Sequence, residues 1–115
     1  MTLLIPKQVI IRDPKHLRMV RQLPCCLTWR TYGVEVHHLL RTGEHAMGRR
    51  SGDNWAIPLA NFLHRQLHDG PMDEQEFLAK HGLDNSLKVA NRLYMLTERD
   101  LKGERWLEEA RKIIE

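Results

Sequence analysis

The chain is short of three things, and each shortage closes off a class of protein. It has two cysteines in 115 residues, Cys25 and Cys26. Neighbours cannot build a disulfide framework, so a disulfide-stapled secreted domain is excluded and a reduced, cytoplasmic setting is expected. It has no apolar run near the roughly 18 residues that a membrane span needs. Residues 1–9 are too short for a secretory leader and lack a small-residue cleavage site, so the reading is soluble and unanchored, with no membrane partner. Internal repeats and low-complexity tracts are also missing, which argues against solenoids and disordered tails.

At 42% hydrophobic, the sequence affords one small core. Net charge is +3, unevenly spread. Residues 1–70 hold ten Lys or Arg against five Asp or Glu, and residues 71–115 hold eight against ten. The basic front half suits a polyanionic partner.

Asp13-Pro14 reads as a helix cap followed by proline at the first helical position, predicting a helix over about 14–22 that ends before Pro24. Leu27 to Thr31 reads as a strand or knuckle, with a turn at Tyr32-Gly33. Val34 to His38 is a strand with Glu35 and His37 on one face. A polar loop spans 41–56, a second extended piece covers Trp55 to Leu59, and a helix starts near Asn61 and is closed by Asp69-Gly70-Pro71. A short helix is expected over Met72 to Lys80, stopped by Gly82. A longer one starts near Asn85 with the stripe Leu87, Ala90, Leu93, Tyr94 and Leu101. Gly103 separates it from a last helix carrying Trp106, Leu107, Ala110 and Ile113 or Ile114.

Seven histidines is a high count for this length. His37 and His38 are adjacent, and His64 and His68 are one helical turn apart on one face. A strand residue and two helix residues spaced by four can offer three neutral imidazoles to one ion, leaving His38 to activate water. Either pair alone fits an ordinary surface. His16, His45 and His81 have no such neighbours and are expected to be surface residues.

The ordered set Arg12-Asp13-Pro14, Leu23-Pro24-Cys25-Cys26, Val36-His37-His38-Leu39, Met47-Gly48-Arg49-Arg50, Ile57-Pro58-Leu59 and His64-Arg65-Gln66-Leu67-His68 resembles the HNH, or ββα-metal, endonuclease superfamily. The likeness is to small phage and prophage nucleases related to the RecA-dependent nuclease group, and it covers about residues 12–81. It implies an α+β fold: a short two-stranded antiparallel hairpin and helix at residues 1–81, flanked by an N-terminal helix, with a C-terminal helical extension at 82–115 packed on that core.

It further implies one divalent ion, Mg, Mn, Ni or Zn, on His37, His64 and His68, and His38 as general base. Asp53 or Asn54 would orient His38, with Asn54 slightly preferred. Arg49 and Arg50 are candidates for gripping a substrate phosphate, and Glu35 for supporting the metal shell. Relatives often carry a structural zinc on paired cysteines. Here the matching positions after Cys26 are Trp29, Ala60 and Leu63, so no structural zinc is expected; these three are expected to pack against Cys26 instead.

The implied activity is hydrolysis of DNA phosphodiester bonds with little sequence specificity, in a bacterial host cytoplasm, on DNA that includes single strands, with a recombination protein or a homodimer as further partner. The alternative is a nucleic-acid-binding recombination accessory that cuts weakly or only with a partner. The C-terminal stripe Leu87, Leu93 and Trp106 either covers the core or forms a partner surface.

Overall fold

A computed structural model describes residues 10–40 and 51–115. The fold is α+β, with one two-stranded antiparallel sheet flanked by helices on its N- and C-terminal sides. Arg49 and Arg50, and with them His45, lie outside the described residues.

Helix α1, Pro14–Arg21, begins where the Asp13-Pro14 pair dictates. Proline at the first turn forfeits no helical bond, and the Asp13 carboxylate accepts from the His16 N–H at 3.1 Å. The chain then makes a tight knuckle, in which Trp29 N–H donates to Cys25 O and Cys25 N–H donates to Arg30 O, both at 2.9 Å. The knuckle is not a strand. Its Trp29 takes a left-handed φ of 64° and is 43% exposed. Trp29 thus lies outside the buried cluster that takes in Ala60 and Leu63 and against which Cys26 packs. Ala60 and Leu63 are buried in the core without it, together with Cys25.

Strand β1, Val34–His38, pairs antiparallel with β2, Ala56–Ala60, with Val34 opposite Ala60 and His38 opposite Ala56. Proline at position 58 cannot donate to a ladder. Its carbonyl still accepts from Cys26 N–H at 3.1 Å, so the knuckle covers that part of β2. Gly33 enters β1 at φ 62°, its carbonyl accepts from Asn61 N–H at 2.8 Å, and a Cβ there would lie 3.2 Å from the Asn61 amide nitrogen. Glycine takes that left-handed conformation without a side-chain penalty. A 3-10 turn, Asp53–Trp55, leads into β2.

Helix α2, Asn61–Asp69, follows β2 without a loop, so its register is set directly by the hairpin. Helix α3, Glu74–Lys80, is capped by Asp73. Helices α4, Ser86–Glu98, and α5, Gly103–Ile114, complete the chain. Helix α4 buries Val89, Ala90, Leu93 and Leu96, and α5 buries Trp106, Ala110 and Ile114 at helical spacing. One apolar cluster runs from Val20 through the hairpin and α2 to Ile114. Leu93 and Trp106 are fully enclosed in it and Leu87 is half-buried, so these members of the C-terminal stripe pack on the core. Removing the Trp106 side chain would cost about 3–5 kcal/mol. Among the described residues no helix is long and apolar enough to cross a membrane.

Candidate active site

The pleat of β1 sends alternate side chains to opposite faces. Glu35 and His37 point towards α2, where His64 and His68 stand one turn apart. The ring centroids of His37 and His64 are 5.1 Å apart, those of His64 and His68 5.3 Å. These rings, with His38 at the strand end, line a cavity of about 610 Å³ that Ser51, Asp73 and Glu74 help to close. The two histidine pairs, far apart in sequence, thus share one cavity.

Three of the four imidazoles are held by carboxylates. His37 Nε2–H donates to Glu74 Oε1 at 2.5 Å, His38 Nε2–H to Asp53 Oδ1 at 2.8 Å, and His64 Nδ1–H to Glu35 Oε1 at 3.0 Å. A carboxylate only accepts, so each bond assigns a proton to the named nitrogen, and in the neutral ring the lone pair is on the other one.

Asp53, not the slightly preferred Asn54, is the residue placed on His38. It is 2% exposed, and its second oxygen accepts from Asp13 N–H at 2.7 Å, while Asp53 N–H donates to Ile11 O at 2.8 Å. The segment before α1 therefore clamps Asp53. The side-chain oxygen of Asn54 is buried with no hydrogen-bond partner among the described residues. A 3-10 turn sends consecutive side chains in different directions, which is why the two neighbours part company.

Imidazoles that share one tetrahedral ion at a metal–nitrogen distance of about 2 Å have ring centres roughly 5 Å apart. The His37–His64 and His64–His68 spacings meet that value, and three imidazoles beside carboxylates are a suitable donor set. Among the described residues no group of three or more His, Cys, Asp or Glu side chains is set to hold an ion with its atoms as they stand. One nitrogen each of His37 and His64 is turned onto a carboxylate. The nitrogens outside those bonds are the ones with lone pairs to offer.

Glu74 had no signal of its own in the sequence. It sits in the acidic run Asp73-Glu74-Gln75-Glu76, which reads as an ordinary helix start. In the fold it is 6% exposed, whereas Glu76 faces solvent. His16 also departs from expectation, being fully buried and not on the surface. It lies under α4 and α5, with Nδ1 2.6 Å from Thr97 Oγ1. The cysteines are both free, and burial raises the Cys26 thiol to about 12, which removes it as a nucleophile near neutral pH.

Searches of curated proteins and of solved structures each found no match. Residues 1–96 match the family described as a protein of unknown function, DUF968. That span contains the hairpin, α2, α3, most of α4 and every residue of this cavity, and on it the chain belongs to the DUF968 family.

Proposed function

We propose that this protein is a divalent-metal-dependent endonuclease that hydrolyses DNA phosphodiester bonds with little sequence preference. The observation that carries the reading is the meeting, in one cavity, of His64 with His37 at 5.1 Å and His68 at 5.3 Å between ring centres, beside a fourth imidazole backed by a buried carboxylate. His37, His64 and His68 are the residues that would hold the ion, and the ion would supply positive charge for the phosphate and the leaving oxygen.

His38 is the proton acceptor. Asp53 holds its Nε2–H and so puts the basic lone pair on Nδ1. As the attacking water gives up its proton to that nitrogen, the imidazole becomes cationic, and the Asp53 carboxylate stabilises the charge. Water attacks phosphorus in line and leaves a 5′ phosphate on one product. The basic balance of residues 1–70 favours a polyanion held through its phosphates. The setting we propose is the reducing cytoplasm of a bacterial host, with a recombination protein or a second copy of the chain as partner.

The test is cleavage of plasmid and of single-stranded DNA by the purified chain across magnesium, manganese, nickel and zinc, beside His38→Ala. The variant should lose about 10²–10⁴-fold in rate and keep its metal stoichiometry. Equal cleavage by the variant would remove His38 as the base. Absence of cleavage under every condition would leave the accessory reading in its place.

A further inference from the structure

We propose that Glu74 is a positioning residue for this site: it holds His37 by Nε2–H, so that His37 meets the cation through Nδ1. The inference rests on the metal reading of the cavity and goes past it by naming the ligating atom and the residue that selects it.

A carboxylate removed from water is costly unless donors satisfy it. Glu74 is satisfied on two sides. His37 Nε2–H reaches Oε1 at 2.5 Å, and the backbone N–H of Leu40 lies 3.2 Å from Oε1 and 3.0 Å from Oε2. Leu40 lies two residues past the end of β1, so the segment that carries His37 also anchors the carboxylate that grips it. The carboxylate is thereby fixed relative to the imidazole, and the imidazole loses its choice of tautomer.

A metal-bound histidine ordinarily gives its other N–H to a carboxylate or carbonyl, which orients the ring and raises its basicity. The His37–Glu74 pair has that arrangement and lines the same cavity as His64 and His68. Direct ligation through Oε1 would require Glu74 to release His37. The partner of His64 is different in quality. Glu35 holds His64 by Nδ1, but its side chain is 54% exposed and screened by water. The tautomer of His37 is therefore the strongly selected one.

The experiment compares the full-length protein with Glu74→Gln and Glu74→Ala, in two arms. Without metal, long-range proton–nitrogen correlation spectra of the imidazoles, assigned with His37→Gln, should give His37 as the Nε2–H tautomer in the wild type. Glu74→Gln should keep that tautomer, because its amide oxygen still accepts, and Glu74→Ala should give a mixture. With Co²⁺ as probe, Glu74→Ala should bind about 10–100-fold more weakly. Glu74→Gln should bind more tightly than Glu74→Ala, with the wild-type visible spectrum.

Wild-type tautomer and affinity in Glu74→Ala would overturn the role of Glu74 alone. A changed Co²⁺ spectrum in Glu74→Gln would also overturn it, by making Glu74 a direct ligand. Failure of the wild type to bind Co²⁺ would overturn the metal reading of the cavity and this inference with it. Because Glu74→Gln preserves shape and keeps Oε1 as acceptor for His37 Nε2–H, giving up the Oε2 acceptor of Leu40 N–H, the comparison survives even if the alanine variant does not fold.

Discussion

His16 and His37 are both buried imidazoles, and the difference between them lies in their partners. His37 gives its N–H to a buried carboxylate at the edge of a cavity. His16 lies between α1, α4 and α5, edge-on to Tyr94 at 4.9 Å and to Trp106 at 5.9 Å. Its polar neighbour is Thr97, whose hydroxyl also accepts from Trp106 Nε1–H at 3.0 Å. Indole nitrogen only donates, so the Thr97 proton remains available for His16. Burial lowers His16 to about 4, although Asp13 and Asp53 pull it upward. A hydroxyl and two aromatic edges suit a permanently neutral ring that packs helices together. A carboxylate suits a ring that must carry charge or hold a cation. Burial alone does not separate a working histidine from a structural one; the partner does.

The largest test of that contrast falls on Asp53. Asp53→Ala should cut cleavage by about 100-fold or more, because His38 loses the group that stabilises its charged form. It should also destabilise the fold by about 2 kcal/mol, since Asp13 N–H loses its buried acceptor. Asp53→Asn should retain stability better than activity. Full cleavage by Asp53→Asn, measured on plasmid DNA beside urea denaturation, would erase the distinction between the two kinds of histidine.

His16 should behave in the opposite way. His16→Leu should leave Co²⁺ binding and cleavage unchanged and alter only stability. In the unfolded chain His16 takes up its proton near pH 6.5, and in the folded protein only near about 4. The unfolded state therefore binds more protons in that window, and stability is lost as pH falls from about 6.5 towards about 4. The contribution is fully present above that range, and its loss is at most about 3 kcal/mol. Urea midpoints at pH 7 and pH 4.5 should fall further in the wild type than in His16→Leu. Parallel falls would show that His16 is not held neutral.

The smallest effect belongs to Glu35, the exposed member of the carboxylate–histidine pairs. Glu35→Gln should change stability by less than about 1 kcal/mol and weaken Co²⁺ binding less than Glu74→Ala does. That difference should shrink further as salt is raised. A Glu35→Gln variant as damaged as Glu74→Ala would mean that exposure does not grade these pairs.

Much of the scaffold was legible because its signals are local. Asp13-Pro14 marked the start of α1, the alternation after Gly33 marked β1, and Asp69-Gly70 marked the end of α2. The four-residue spacing of His64 and His68 placed them on one face before any coordinates. Other features depend on contacts across the fold. Asp53 and Asn54 are neighbours with similar side chains, and the choice between them is made by Asp13, 40 residues away. Glu74 and Glu76 look alike in sequence, and only the approach of Leu40 and His37 makes one of them a buried partner. His16 lacks charged neighbours on its apolar side because α4 and α5 close over it, a contact spanning 81 residues to Thr97.

By itself the sequence determined the strand at Val34–His38, an extended piece at Trp55–Leu59 ahead of a helix, and the candidacy of His37, His38, His64 and His68, while the resemblance implied the α+β hairpin. Strand alternation and helical periodicity are short-range properties of the backbone and can be read from neighbours. Only the tertiary structure decided which acid serves which imidazole, and that His16 serves none. Those assignments depend on distances of about 3 Å between segments tens of residues apart, and hydrogen-bond geometry at that scale leaves no periodic trace in the chain.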